Sequence, residues 1–83
     1  MPLSPAERER LAAVRSSPPD RVGGRRVTSV NRIDGIKLLL EDGSWILVRE
    51  SGTEPLARLY VESKSEEEVA ALTRAAQSLV AVA

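Results

Sequence analysis

Eighty-three residues without cysteine or histidine, twelve basic side chains balancing twelve acidic ones, describe one small domain with a single modest core. The missing cysteines exclude disulfides and thiolate metal sites, and the missing histidines remove the commonest general base and transition-metal ligand. Zero net charge argues against nucleic acid or an anionic membrane as the main partner, and no apolar run approaches the roughly 18–20 residues that span a bilayer.

The N-terminus lacks both the basic start and the apolar stretch of a signal peptide, so a cytoplasmic location is the default expectation. The chain then opens on a helix signal. Ser4 suits the N-cap, Pro5 the first helical position, and Glu7 completes a Ser-x-x-Glu capping box. Leu11, Ala12 and Val14 supply a short apolar stripe, with Glu7, Arg8, Glu9 and Arg10 as a solvated face. Ser16-Ser17-Pro18-Pro19-Asp20 ends the helix, since proline disfavours helical geometry in the residue before it and cannot donate within it. The stretch through Gly23-Gly24 reads as a loop. Its Arg15, Arg21, Arg25 and Arg26 read as solubility and salt pairing in a chain of zero net charge.

From residue 25 the pattern turns to strands. Residues 27–33, 36–40, 45–49 and 56–61 are rich in branched aliphatics and bounded by turn formers. Asp34-Gly35 and Asp42-Gly43 are strong hairpin signals, which implies a meander, and the Glu41-Asp42 pair is more simply a turn than a metal site. Alternation puts Ala57, Leu59 and Val61 on one face, with Arg58, Tyr60 and Glu62 on the other. Trp45 is expected in the core. In the last segment Ser65 caps a helix, Glu66, Glu67 and Glu68 favour its N-terminal dipole, and Ser65 with Glu68 predicts a second capping box. Val69, Leu72, Ala76 and Leu79 recur at helical spacing, with Val69 and Leu72 as core residues. The expected architecture is α+β: helix, four antiparallel strands, helix. A lone sheet this size needs a cover, so both helices should pack on one face. Residues 1–24 would form the helix and loop, and 25–83 the meander and second helix, of one domain.

The candidate functional element is Arg49-Glu50-Ser51-Gly52-Thr53-Glu54-Pro55, between the third and fourth expected strands. A guanidinium offers a planar fork that matches phosphate or carboxylate, Ser51 and Thr53 add hydroxyls, and a Gly-containing turn can aim backbone N–H groups at one anion. Ser, Gly and Pro are equally what an ordinary turn requires, so a structural loop and an anion site both remain open on composition. Glu54 would repel a phosphate unless turned away or paired, and Arg58 is its possible partner. Nucleophile–base pairs and metal-ligand clusters are absent from the sequence, so catalysis by this chain alone is not expected.

Arg49-x-Ser51-Gly52-Thr53-Glu54-Pro55 followed by Leu56-x-Arg58-x-Tyr60-x-Glu62 resembles the C-terminal domain of the α-D-phosphohexomutases, the phosphoglucomutase, phosphomannomutase and phosphoglucosamine mutase superfamily. The lead-in Asp34-Gly35-Ile36 and Asp42-Gly43-Ser44-Trp45-x-Leu47-Val48-Arg49 and the acid-capped last helix fit as well, over roughly residues 25 to 80. Glu50 stands where many relatives carry proline or another residue, a variable position in the motif. The resemblance implies a TATA-binding-protein-like fold, a four-stranded antiparallel sheet with two helices on one face, whose loop binds the phosphate of a hexose phosphate. It implies Arg49 as the main phosphate ligand, with Ser51, Gly52 and Thr53 as further donors. Glu54 and Pro55 would shape the loop, and Arg58 would brace it. The parent enzyme would contribute a phosphoserine loop, a magnesium loop and a sugar-recognition loop in its remaining domains. None of these motifs is present here, so no cofactor is expected on this chain and no mutase activity from it alone. The family's domain can begin with a further short strand, for which Met1-Pro2-Leu3 leaves little room. The alternative is a stand-alone module that uses the same fold for another anion or a protein partner.

Overall fold

Ser4 starts the first helix as its chemistry requires. Its hydroxyl accepts from the Glu7 amide (3.2 Å), while Glu7 Oε1 accepts from the Ser4 amide (2.9 Å). The Ser4 amide, with its hydroxyl in support, holds the Glu7 carboxyl below its ordinary value. The computed structural model describes residues 2–80, so Met1 and residues 81–83, the outer ends of the two expected segments, lie outside the described residues. In chain order the elements are α1 (Pro5–Ser16), β1 (Arg21–Val22), β2 (Arg25–Asn31), β3 (Ile36–Leu40), β4 (Trp45–Glu50), β5 (Ala57–Glu62) and α2 (Glu66–Val80). The strands form one antiparallel sheet in the order β1-β2-β3-β4-β5.

The sheet therefore has five strands where four were expected. The stretch read as a loop folds back at Gly23 and Gly24, whose positive φ values of 57° and 79° make a tight two-residue turn. Arg21 and Val22 then pair with Arg26 and Arg25, and Val22 enters the core. β2 accordingly begins and ends two residues before the expected 27–33. Asn31 Oδ1 accepts from the Ile33 amide, an Asx turn that ends the strand and leaves Ile33 90% exposed. The β3–β4 turn is a three-residue hairpin. The Gly43 amide bonds the Leu40 carbonyl (3.0 Å), and Gly43 takes the left-handed position at φ 88°.

One face of the sheet carries Ile36, Leu38, Leu40, Ile46, Val48 and Ala57, which join Leu11 of α1 and Leu72, Ala76 and Val80 of α2 in a single buried cluster. Both helices thus cover the same face. Full burial of each Leu, Ile or Val side chain in it is worth about 1.5–3 kcal/mol. Leu3 and Val22 share this cluster, so residues on both sides of position 24 form one core. Leu72 fills its expected role. Val69 does not, because it is only half-buried beside the outer edge of β5, and the buried stripe runs through Leu72, Ala76 and Val80 instead. Trp45 also departs from expectation. Strand alternation turns it to the uncovered face, where Nε1 donates to Glu62 Oε2 (2.7 Å) and Lys37 Nζ lies 4.3 Å from the ring centroid. Leu39, Leu47 and Tyr60 share that face with it.

At the end of the sheet opposite the candidate loop, Arg25 ties three elements together. Its Nε donates to Asp42 Oδ2 (2.7 Å) and its Nη2 to Glu68 Oε1 (3.2 Å). Ser63 donates to Glu68 Oε2 (3.1 Å), which leaves the buried Ser44 hydroxyl to donate to Ser63 (2.8 Å). Only half of the second capping box forms. The Glu68 amide bonds Ser65 Oγ, but the Glu68 carboxylate is drawn away to Arg25 and Ser63.

The Ser44 amide, and then Arg25, hold the Asp42 carboxyl down from 3.8 to about 2. A carboxyl depressed in the folded state stabilises above its unfolded pKa and loses that contribution as pH falls through the folded value. Urea midpoints between pH 5 and pH 2 are therefore expected to fall more steeply for the wild type than for Asp42→Asn, with the difference closing below about pH 4. Parallel curves would mean that this contact does not distinguish folded from unfolded chains.

Candidate functional site

The meander brings the 51–56 loop and the β2–β3 turn to the same end of the sheet. β4 and β5 stay paired up to Glu50 opposite Ala57, and the Ser51 amide then bonds the Leu56 carbonyl (2.9 Å). The tip is held by its own serine, whose Oγ accepts from the Thr53 amide (3.4 Å) and the Glu54 amide (3.3 Å). From outside, the Leu3 amide bonds the Pro55 carbonyl (2.6 Å), and Pro2 makes an isolated antiparallel bridge with Leu56. Within the described residues, that single bridge is what the N-terminal segment contributes to the sheet.

Arg49, Glu50, Ser51, Gly52 and Arg58 line one shallow cavity of about 200 Å³. Arg49 and Arg58 stand directly opposite each other on β4 and β5. Like charges in that position repel, so the ladder alone gives no reason for the pair. Among the described residues Arg58 has no side-chain partner, and Arg49 has one, Asp34, at 3.2 Å from Nε. The Ser51 hydroxyl accepts two amides and keeps its own proton to donate. The Gly52 amide has no partner among the described residues, and a Cβ on Gly52 would meet nothing within 4 Å. The free donors around this cavity are thus the Arg58 guanidinium, the terminal nitrogens of Arg49, one hydroxyl and one amide, a set suited to a tetrahedral oxyanion.

Thr53 is exposed at the tip and does not line the cavity, and Glu54 and Pro55 are exposed beside it. Glu54 and Arg58 form no ion pair among the described residues, so the anticipated pairing is not seen. Glu50 does face the cavity, but its carboxylate is engaged by Arg8 Nε (2.9 Å) across from α1. The sequence reading passed over both Arg8 and Asp34. Asp34 carried a signal only as a turn former, although a meander necessarily places its turn beside the loop. Among the described residues no group of three or more His, Cys, Asp or Glu side chains converges as a metal site. No helix of the described residues is long and apolar enough to cross a membrane.

Comparison with known families adds the decisive observation. The family described as phosphoglucomutase/phosphomannomutase, C-terminal domain, matches residues 3–77. The chain belongs to that family. The match reaches back through α1, beyond the resemblance read from residue 25 onward. A probable phosphoglucosamine mutase of Methanothermobacter thermautotrophicus is 55% identical over 40 residues, covering 48% of this chain and 9% of that protein. A probable phosphoglucosamine mutase of Methanopyrus kandleri is 55% identical over 38 residues, 46% of this chain and 8% of the relative. A phosphoglucomutase/phosphomannomutase of Thermococcus kodakarensis is 53% identical over 38 residues, again 46% and 8%. The chain therefore spans only a small part of the length of these relatives.

Proposed function

We propose that this phosphoglucomutase/phosphomannomutase C-terminal domain grips the phosphate of a hexose phosphate while the remaining domains of a cytoplasmic mutase carry out intramolecular phosphoryl transfer. The observation that carries the reading is the pair of opposed guanidinium groups, Arg49 and Arg58, sharing one cavity with the free Ser51 hydroxyl and Gly52 amide. Their repulsion is relieved when a dianion sits between them. Arg49 supplies the main fork, Ser51 and Gly52 further donors, and Thr53 a hydroxyl at the rim. Arg58 joins the ligand set, which goes beyond the bracing role expected for it. Glu54 and Pro55 shape the tip.

The names of the relatives differ in the sugar and share the phosphate, which is the part this loop would hold. The TATA-binding-protein-like description belongs to the same reading, with β1 as an addition to the four-stranded sheet. Magnesium and the phosphoserine belong to the absent domains, and the chain alone grips without catalysing. Holding the non-reacting phosphate lets binding energy position the sugar for chemistry elsewhere.

A ³¹P NMR experiment tests this. The glucose 1-phosphate resonance is expected to broaden on adding the protein and to sharpen again when excess inorganic phosphate competes. Unchanged linewidths at millimolar ligand would overturn the reading.

A further inference from the structure

Arg49 is the residue on which the cradle depends, yet it stands opposite a like charge on an exposed strand end, with a side-chain exposure of 53%. A long side chain in that position has many rotamers and a repulsive neighbour, so something must hold it where an anion can meet it. The β2–β3 turn does so in two ways. A Cβ on Gly35 would collide with the Val48 carbonyl oxygen and sit 3.0 Å from Arg49 Cα, so the bare glycine lies directly against the backbone that carries Arg49. From that seat Asp34 Oδ1 reaches Arg49 Nε at 3.2 Å. The contact is an ion pair at the Nε side of the guanidinium, whose terminal nitrogens have no partner among the described residues. The contact thus restrains the side chain while leaving its terminal fork free.

We infer that Asp34 is a positioning residue for Arg49, holding the guanidinium in place before an anion arrives. This rests on the phosphate-gripping reading above. Restraint ahead of binding removes part of the ordering cost that a free arginine would meet on engaging the ligand. It also separates Asp34 from a mere negative charge near the site. A bystander carboxylate weakens anion binding by repulsion, so deleting it tightens binding, whereas deleting a positioning residue weakens it. The two roles predict opposite signs. Because the ion pair is exposed on both sides, with Asp34 at 63%, its loss leaves the fold intact. Asparagine preserves the turn, since Asn-Gly serves there as well as Asp-Gly.

The test follows the Arg49 Nε–Hε resonance of the protein by ¹⁵N NMR, with inorganic phosphate as the probe. In ligand-free wild type the heteronuclear NOE of that resonance should approach the values of the β4 amides. In Asp34→Asn it should drop, phosphate affinity should fall about two- to fivefold, and the melting midpoint should stay put. Unchanged Nε order in Asp34→Asn, or equal or tighter phosphate binding, overturns the inference. A wild type that binds no phosphate overturns the cradle itself. The two failures are distinguishable, because the Nε signal reports the Asp34 restraint with no ligand present.

Discussion

Gly35→Ala is expected to destabilise the domain by about 3 kcal/mol or more, from two separate terms. Gly35 has φ 88°, a region an L-residue enters at a cost of about 1 kcal/mol. The new methyl group would also meet the Val48 carbonyl and the Arg49 Cα, which are backbone atoms and cannot rotate aside. Val48 pairs with Ile36 on one side and Leu59 on the other, so moving it disturbs two ladders. Gly43→Ala is the control, because it shares φ 88° but its Cβ meets nothing within 4 Å. It should cost only the backbone term, about 1 kcal/mol. Gly52→Ala should change stability by less than about 0.5 kcal/mol, since its φ is not left-handed and its Cβ faces open space. Urea unfolding of the three variants measures the contrast. Equal losses for Gly35→Ala and Gly43→Ala would refute the close approach of the turn to β4. The expected loss is a large share of the total stability of roughly 4–12 kcal/mol for a chain of this size.

Arg49→Ala should have the opposite profile, a large functional effect with little effect on the fold. Hydrogen bonds to a charged partner contribute about 1.5–3 kcal/mol each, so losing the fork should weaken glucose 1-phosphate binding about 10- to 100-fold. The exposed Asp34 pair lost with it is worth less than about 1 kcal/mol, and the repulsion from Arg58 disappears as well. The urea midpoint should therefore stay the same or rise slightly. Arg49→Lys restores the charge without the planar fork, so it should recover only part of the affinity. Titrations paired with urea curves check both halves. A variant that binds as well as wild type, or that unfolds, would show that Arg49 serves the fold and not the ligand.

Much of the architecture was legible because local chemistry and tertiary packing agree. The Ser4 and Glu7 cap, the β3–β4 turn at Gly43 and the alternation of β5 follow from short-range rules that the core then reinforces. The misreadings arose where tertiary context decides. Arg21-Val22 is too short to carry a strand pattern, and it pairs only because Gly23-Gly24 folds it onto β2. Trp45 suggested a core by its size, but strand register placed it on the uncovered face. Val69 has the right helical spacing yet faces the rim, because α2 leans on the sheet through Leu72, Ala76 and Val80.

Arg49, Ser51, Gly52 and Thr53 were singled out as an anion loop by their types and spacing, and the fold places the first three on one cavity and Thr53 outside it. Arg58 was visible in the sequence as well, but its position opposite Arg49 depends on the β4–β5 register. Asp34 and Arg8 act across 15 and 42 positions of sequence, and no local pattern encodes such pairings.

The central claim is that the cavity between Arg49 and Arg58 recognises phosphate and leaves the sugar to other domains. Backbone amide shifts mapped during parallel titrations with glucose 1-phosphate and with glucose test it most directly. The account predicts that the Ser51, Gly52 and Thr53 amides and the Arg49 and Arg58 side-chain signals move with glucose 1-phosphate and stay still with glucose. Equal movement with both sugars, or movement confined to residues away from this loop, would contradict it.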